Sequence, residues 1–240
     1  MRNFEQLPNL MIADDESVAD FAEKDSARIL LISDSHGGKS VLFNILEKYG
    51  KESDAVCFCG DGMPDLLGVI EDFRNIDGYE ERIPKLVVFV QGNGDYANYQ
   101  LVTDDRHAIT VPQQTEFKAA GKKVMMTHGH RYNVYIGTKE LKAEAERIGA
   151  DIVFYGHTHI ANAQTKTNSQ TKSKISLLNP GSCSLPRGGL PHTFAIVTIE
   201  KSAADNSAVK FDYFEIKWNK EGDMEFSPFV PPSKEVNLFW

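Results

Sequence analysis

In its second half the chain reads Asp151-Ile152-Val153-Phe154-Tyr155-Gly156-His157-Thr158-His159, an apolar run that leads directly into two histidines. The short apolar run before a glycine predicts a buried strand that ends at a turn. Because successive side chains along a strand alternate between its faces, His157 and His159 can project to the same side. Two imidazoles on one side of a strand end are half of a metal-binding site.

The same arrangement occurs four more times upstream, with an apolar strand followed by a turn that carries a metal-capable residue. The turns and the runs before them are Asp34-Ser35-His36 after Arg28–Ser33, Gly60-Asp61 after Val56–Cys59, Gly92-Asn93 after Val87–Gln91, and His128-Gly129-His130 after Val124–Thr127. Ligands of open α/β sheets bind at the carboxyl ends of the strands, so these turns are expected to meet.

Taken together, the turns offer both oxygen and nitrogen ligands. The oxygen donors are Asp34, Asp61 and Asn93, and the nitrogen donors are His36, His128, His157 and His159. This mixture without sulfur suits Mn²⁺, Fe, Zn²⁺, Ni²⁺ or Co²⁺ better than Ca²⁺. Seven ligands exceed the needs of one tetrahedral site and suit two metal ions that share a carboxylate.

Each turn has an ordinary alternative explanation when it is considered alone. Gly-Asp and Gly-Asn pairs are frequent in turns without any ligand, and a His-Gly-His segment is compatible with a polar loop. The coincidence favours the metal site, because five of the seven histidines fall in three of these turns. We interpret the remaining two, His107 and His192, as structural or surface groups.

Length and composition indicate a single α/β domain. With 240 residues the chain can bury a full core. We divide it into an acidic N-terminal extension, residues 1–27, and the main domain, residues 28–240. No apolar run approaches the roughly 20 residues that span a bilayer. The N-terminus does not resemble a secretory signal and the three cysteines are an odd number, so we expect a cytoplasmic protein with buried thiols.

The net charge of −8 excludes the diffuse basic surface that non-specific nucleic-acid binding requires. We therefore expect neither stable nucleic-acid binding nor membrane association. A small phosphate ester remains a suitable substrate if bound metal supplies local positive charge. A homo-oligomer is left open.

Apolar periodicity predicts strands that alternate with helices in the first two thirds of the chain, followed by strands alone. Ala161–Lys174 is expected to be a loop or an irregular hairpin, and Asn219–Trp240 an irregular tail. This order favours two mixed sheets covered by helices. The predicted helices are Ser17–Lys24, Ser40–Tyr49, Pro64–Asn75 and Thr138–Ile148. The predicted strands are Arg28–Ser33, Ala55–Cys59, Leu86–Val90, Thr115–Ala119, Lys123–Thr127, Asp151–Tyr155, Ile175–Leu178, Thr193–Glu200 and Val209–Trp218.

The ordered motifs resemble those of the calcineurin-like metallophosphoesterase superfamily. With Asp95 after Gly92-Asn93, and with Asn179-Pro180-Gly181-Ser182, the set is similar to the small phosphodiesterases of the YfcE type, whose eukaryotic relative is the retromer subunit Vps29. The resemblance covers roughly residues 29–200. It implies a four-layer αββα sandwich of two mixed sheets flanked by helices. It also implies one metal ion held by Asp34, His36, Asp61 and His159, and a second held by Asp61, Asn93, His128 and His157.

The resemblance further implies a dinuclear-metal-dependent phosphodiesterase in which a metal-bridged hydroxide attacks phosphorus in line. We expect two divalent ions, with Mn²⁺ favoured and Ni, Zn, Fe or Co as alternatives. Many superfamily members carry a catalytic histidine where this chain has Gly94. We therefore name His130 as the stand-in proton donor, with support of a ligand as its alternative role. Asp95 is expected to orient a histidine ligand, and Arg187 to reach the substrate phosphate or to be a solvated loop arginine.

Two alternatives to a phosphodiesterase remain at this stage. One is a non-catalytic protein-interaction scaffold of the Vps29 kind, and the filled ligand positions argue against it. The other is a phosphomonoesterase or nucleotide pyrophosphatase on the same metal core, because specificity depends on loops. The loops that we expect to set it are Tyr96–Asp105, Arg131–Thr138 and Arg187–Pro191.

Overall fold

The computed structural model of the chain describes residues 6–101, 108–201 and 208–232. The helices are α1 (Asp15–Glu23), α2 (Lys39–Tyr49), α3 (Met63–Asn75) and α4 (Lys139–Ile148), with 3-10 turns at Glu80–Arg82 and His130–Tyr132. The strands are β1 (Ser26–Ile32), β2 (Ala55–Phe58), β3 (Leu86–Phe89), β4 (Asn98–Gln100), β5 (Ala108–Thr110), β6 (Gln114–Ala119), β7 (Lys122–Thr127), β8 (Ile152–Phe154), β9 (Ala161–Thr167), β10 (Lys174–Pro180), β11 (His192–Glu200), β12 (Ala208–Trp218) and β13 (Met224–Phe229).

Two mixed sheets form the centre of the fold. The first has six strands in the order β13-β12-β11-β1-β2-β3, and the second has five in the order β6-β7-β8-β10-β9. Parallel pairing joins β1, β2 and β3 in the first sheet and β7, β8 and β10 in the second. Within each sheet, the turns predicted to carry the ligands therefore leave neighbouring strands at the same edge. The strands β4 and β5 pair separately.

Side-chain alternation along β1 shows how the layers are built. Ile29 and Leu31 lie in the core between the two sheets, whereas Leu30 and Ile32 pack in the core beneath α2 and α3. On the far side, α4 covers the second sheet through Leu141. A strand that is buried on both faces needs apolar residues at every position, which explains its continuous apolar run. The predicted four-layer αββα sandwich is confirmed.

The described part of the N-terminal segment packs against both sheets. Ile12 forms an antiparallel bridge with Val87 on β3. Helix α1 confirms the predicted Ser17–Lys24 helix, and the Asp14 carboxylate caps it by accepting a hydrogen bond from the backbone N–H of Ser17 at 2.6 Å. The ring of Phe21 lies 6.3 Å from that of Phe117 on β6. The division of the chain at residue 27 stays a prediction.

Two expectations of irregular structure were wrong. The segment Ala161–Lys174 begins with the regular strand β9, which pairs antiparallel with β10. The segment Asn219–Trp240 contains β13, which pairs with β12. Both are edge strands, which need few apolar side chains, so their sequences lack the signal that predicted the central strands. Pro228 is tolerated in β13 because an edge strand can leave one side unpaired.

Within the described residues, no helix combines the length and the apolar character that crossing a bilayer requires.

Candidate metal centre

The first predicted ligand group is assembled at the ends of β1, β2 and β8. The Nε2 atom of His159 lies 3.2 Å from Oδ1 of Asp34 and 3.1 Å from Nε2 of His36. His36 also approaches Asp61, with its Nε2 atom 3.7 Å from Oδ2 of that carboxylate. Four side chains separated by up to 125 positions thus share one small volume.

The second predicted group surrounds His128, at the end of β7. Its Nε2 atom lies 3.5 Å from Oδ2 of Asp61, 3.2 Å from Oδ1 of Asn93 and 3.2 Å from Nδ1 of His157. Both groups approach Asp61, and Asp34 is also within reach of both, since its Oδ1 atom lies 3.9 Å from His128. The structure therefore brings all seven predicted ligands together and places two carboxylates between the groups.

The hydrogen bonding of the Asp34 carboxylate leaves one oxygen atom available for a cation. Its Oδ2 atom accepts hydrogen bonds from the Ser33 hydroxyl at 2.5 Å and from the backbone N–H of His157 at 3.1 Å. Its Oδ1 atom is buried and accepts none in the described part of the chain. A buried carboxylate oxygen without a donor is costly, and a metal ion would satisfy it. The donor set of carboxylate, amide and imidazole suits a divalent transition metal.

Hydrogen bonds to backbone carbonyls orient two of the imidazoles. His128 uses Nδ1 to bond the Cys59 carbonyl oxygen at 2.7 Å, and His159 uses Nδ1 to bond that of Leu185 at 2.5 Å. A proton on Nδ1 leaves the lone pair on Nε2, the atom that points into the centre. When either ring is neutral, it is thus held as the tautomer that binds a metal through Nε2.

The backbone at the centre is unusual, because five of the seven ligands have a positive φ angle. These are Asp34 (56°), His36 (40°), Asp61 (57°), His157 (69°) and His159 (60°). Residues with a Cβ rarely adopt this left-handed region, and such strain clusters at functional sites. The surrounding turns require close approach as well: a Cβ on Gly156 would lie 2.1 Å from the Ser33 hydroxyl oxygen.

The environment favours the ligand form of two titratable groups. Burial, the largest influence on Asp61, opposes its ionisation. The hydrogen bond and charge of protonated His128, the hydrogen bond from the Gly94 amide and the charge of His36 together outweigh burial and lower the pKa of Asp61 to about 2. Burial and then the charge of His128 lower the pKa of His157 to about 4. At neutral pH Asp61 is therefore a carboxylate and His157 a neutral imidazole.

The Asn179-Pro180-Gly181-Ser182 segment supports the ligand loops of both sheets. Asn179 donates from Nδ2 to the Gly156 carbonyl at 2.8 Å, and Ser182 donates from its hydroxyl to the Asp34 carbonyl at 2.7 Å. This gives the motif a structural role beside the metal ligands. Sequence reasoning missed a similar role for Asp65, which accepts hydrogen bonds from the Ser35 hydroxyl at 2.6 Å and the Gly37 N–H at 2.8 Å. The only sequence feature that distinguished Asp65 was its position in the first turn of the predicted helix.

The expectation that Asp95 orients a histidine ligand was wrong, because Asp95 bonds a different set of groups. Its carboxylate accepts four backbone N–H bonds instead, from Asp61 at 2.7 Å, Gly92 at 2.9 Å, and Gly62 and Met63 at 3.0 Å each. These bonds tie the turn after β2 to the turn after β3. Asp95 therefore positions Asp61 through the backbone. Every residue type except proline carries a backbone amide, so such a contact cannot be predicted from the sequence.

His130 and Arg187 lie beside the centre, where their predicted roles remain predictions. The ring of His130 lies 5.4 Å from that of His128 and 5.9 Å from that of His157, and its Nδ1 atom is buried without a hydrogen bond among the described residues. Arg187 is exposed and donates a hydrogen bond to the hydroxyl of Tyr135. Tyr135 in turn donates to the His157 carbonyl at 2.9 Å, so Arg187 reaches the edge of the centre.

The other expectations fall outside the centre. Cys57, Cys59 and Cys183 are buried free thiols, as expected. His192 packs its ring against Trp218 at 5.1 Å, which agrees with a structural role. His107 and the last part of the Tyr96–Asp105 loop lie outside the described residues.

A two-sheet fold with seven metal-capable side chains converging at the strand ends is typical of metal-dependent phosphoesterases. Residues 28–202 match the calcineurin-like phosphoesterase superfamily domain, and this chain belongs to that superfamily. It is 30% identical over 178 residues to a protein named probable metallophosphoesterase YsnB from Bacillus subtilis, covering 73% of this chain and 86% of the relative. It is 31% identical over 182 residues to phosphodiesterase YfcE from Escherichia coli, covering 71% and 86% respectively.

Solved structures share the fold. A predicted phosphoesterase from Streptococcus pneumoniae matches with a TM-score of 0.56 and 24% identity over 86% of this chain and 99% of the other. Vps29 from Cryptosporidium parvum matches with a TM-score of 0.61 and 18% identity over 86% of this chain and 98% of the other. At these identities the structural matches support the fold alone.

Proposed function

We propose that this protein hydrolyses phosphodiesters with two divalent metal ions held by the seven side chains. One observation carries the proposal: two carboxylates, Asp34 and Asp61, lie between two groups of imidazoles and approach both. A single ion needs no such arrangement, whereas shared negative ligands stabilise two neighbouring cations against their mutual repulsion. Two ions in one site would activate water near neutral pH and neutralise charge on the phosphoryl group.

The two metal ions and the two carboxylates together would set the local charge. The chain carries a net charge of −8, which repels a phosphate in general. Four positive charges from two divalent ions, set against the two carboxylates, leave the centre positive. An imidazole or amide that binds a metal does so through a lone pair and carries no charge, so these ligands add no repulsion. An acidic protein can thus attract an anionic ester to this one place.

His130 is the proposed proton donor to the leaving oxygen. Gly94 supplies no side chain, and its backbone N–H is already committed to Oδ1 of Asp61 at 2.7 Å. The imidazole of His130 lies beside the rings of two candidate ligands, which is the position that a proton donor to a metal-bound ester would need. The preference for diesters is supported by the similarity to the Escherichia coli protein named phosphodiesterase YfcE. Among the divalent ions we favour Mn²⁺.

The direct test measures metal content and turnover on the same preparation. Wild-type protein is reconstituted separately with Mn²⁺, Ni²⁺, Zn²⁺, Co²⁺ and Fe²⁺ and assayed with bis(p-nitrophenyl) phosphate and with p-nitrophenyl phosphate. We expect two ions per chain and faster hydrolysis of the diester. Faster hydrolysis of the monoester would favour a phosphomonoesterase. Absence of metal uptake and of turnover across the panel would favour the interaction scaffold.

A further inference from the structure

A cavity of about 530 Å³ lies between the two sheets, at the end of the molecule opposite the candidate metal centre. Two of its lining residues are Lys122, the first residue of β7, and Lys174, the first residue of β10. The strands β7, β8 and β10 run parallel, and the turns that carry candidate ligands follow the last residues of β7 and β8. The two lysines therefore lie at the other ends of these strands, and the length of β7 alone is roughly 17 Å.

The strand register directs both lysines into the space between the sheets. Val124, two residues after Lys122, belongs to the core between the sheets. Ser176, two residues after Lys174, is paired with Ile152 of the same core. Because side chains two positions apart lie on the same face of a strand, the two lysines share the inner face of the second sheet.

The remaining walls of the cavity are apolar on one side and rich in hydroxyl groups on the other. Val209 and Phe211, on β12 of the first sheet, form the apolar wall, and both pack against the core between the sheets. Thr165, Ser173 and Ser176 add hydroxyl groups on the side of the second sheet. The cavity therefore combines hydrogen-bond donors with an apolar surface that includes an aromatic ring.

The charge of the cavity is positive on a protein whose net charge is −8. Lys122, Lys172 and Lys174 line it together with a single carboxylate, that of Asp151, which leaves an excess of two positive charges. The Asp151 carboxylate already accepts a hydrogen bond from the backbone N–H of Lys123 at 2.9 Å. Within the described ranges of the chain, none of the three lining lysines forms an ion pair. An anion bound between them would offset their mutual repulsion.

The turn that forms one rim of the cavity is held by its own hydrogen bonds. The buried side chain of Asn168 accepts from the backbone N–H groups of Gln170 and Thr171, at 2.9 and 3.0 Å. The Lys172 ammonium donates to the Ser169 carbonyl at 2.9 Å and keeps its other donors for a ligand. A rim that is ordered in advance lowers the entropic cost of binding.

We propose that this cavity binds a small organic dianion, with its negative groups at Lys122 and Lys174 and its aromatic or other apolar body against Phe211. Phosphate, carboxylate and sulfonate groups all accept charge-assisted hydrogen bonds from an ammonium. A ring of the ligand can pack against that of Phe211. The site is separate from the metal centre, so the inference does not depend on the proposed phosphodiesterase function.

Three probes that the protein cannot hydrolyse as phosphate esters test the two parts of the proposal. Naphthalene-1,5-disulfonate has two negative groups on an aromatic body. Naphthalene-1,5-disulfonamide keeps the body without the charge, and ethane-1,2-disulfonate keeps the charge without the ring. Their dissociation constants are measured by calorimetry on the Mn²⁺-loaded full chain.

The same measurements are made on Lys122→Ala, Lys174→Ala, Lys174→Arg and Lys166→Ala. Lys166 is the matched control, because it follows the lining residue Thr165 on β9 and pairs with Ile175, whose side chain lies in the core beneath α4. Lys166→Ala therefore removes an equal charge from the opposite face of the same sheet. Unfolding temperatures without probe show whether each variant is folded.

We expect the aromatic disulfonate to bind the wild type at least roughly tenfold more tightly than either of the other probes, the size of a charge-assisted hydrogen bond. Lys122→Ala and Lys174→Ala should each weaken its binding by a similar factor. Lys174→Arg should restore most of the affinity, and Lys166→Ala should bind as the wild type does. Equal binding of disulfonate and disulfonamide to the wild type would overturn the anion site, and equal binding of the two disulfonates would overturn the role of Phe211. Binding that is unchanged in both alanine variants of the lining lysines would place the probe elsewhere and overturn the proposal.

Discussion

The carboxylate of Asp34 accepts a hydrogen bond from the backbone N–H of His157 at 3.1 Å, across 123 positions of sequence. Asp34 follows a strand of the first sheet and His157 follows a strand of the second. A ligand of one group therefore holds the loop that carries a ligand of the other. The two halves of the centre are joined by the protein itself, independently of any ion.

Replacing Asp34 by asparagine should remove metal binding while preserving the shape of the side chain. We expect fewer bound ions and a loss of diester turnover of at least about a hundredfold, since removal of even outer metal partners costs 10–100-fold.

Saturating Mn²⁺ should raise the unfolding temperature of the wild type, because a ligand at a hundred times its Kd adds about 2.7 kcal/mol. The Asp34→Asn variant should lose this increase. Asp212→Asn, which removes a surface partner of Lys210, is the control. Full Mn²⁺ loading of Asp34→Asn would contradict the assignment.

Gly156→Ala should disrupt the contact between the two ligand loops. The added Cβ would lie 2.1 Å from the Ser33 hydroxyl oxygen and 2.8 Å from Oδ2 of Asp34. We expect the free energy of unfolding to fall by roughly 1–3 kcal/mol, as overpacked sites do, and metal affinity to fall with it. Adding Ser33→Ala removes the closer clash, so the double variant should be more stable than Gly156→Ala alone. Urea denaturation measures the free energy of unfolding of the single and double variants. If the losses of Gly156→Ala and Ser33→Ala simply add in the double variant, the proposed clash is contradicted.

Asp95→Ala should weaken the centre without removing a ligand. Four backbone N–H groups lose their acceptor, and we expect a loss of about 3 kcal/mol in the free energy of unfolding. Because these bonds hold the turn that carries Asp61, Mn²⁺ affinity should fall as well. Titration of the apo-protein with Mn²⁺ and urea denaturation check the two effects. A stable Asp95→Ala variant with unchanged Mn²⁺ affinity would exclude a positioning role.

If Arg187 binds the substrate phosphate as predicted, Arg187→Ala should raise KM for bis(p-nitrophenyl) phosphate about tenfold, because a charge-assisted hydrogen bond is lost. Metal content should not change, because Arg187 contacts Tyr135 and no ligand side chain in the described structure. Arg147→Ala, on the outer face of α4, is the control. If Arg187 is only a solvated loop residue, both variants will show wild-type KM values.

The candidate metal ligands could be predicted from their residue types, whereas Asp65 was missed and Asp95 was assigned the wrong hydrogen-bond partner. His157 and His159 stood out because an imidazole pair after an apolar run has few other uses. Asp65 and Asp95 act by accepting hydrogen bonds at particular positions, and an aspartate in a turn has many ordinary explanations. The same reasoning separates the strands: β1 is apolar throughout because both faces are buried, while the edge strands β9 and β13 carry no such pattern.

Five of the seven candidate ligands adopt a left-handed backbone conformation, with φ angles between 40° and 69°. This conformation is costly for a residue with a Cβ and persists only where the surrounding structure holds it. Hydrogen bonds from the neighbouring loops to the side chains of Asp34 and Asp61 supply part of that restraint. A substitution that loosens these loops should therefore weaken metal binding even when every candidate ligand is kept.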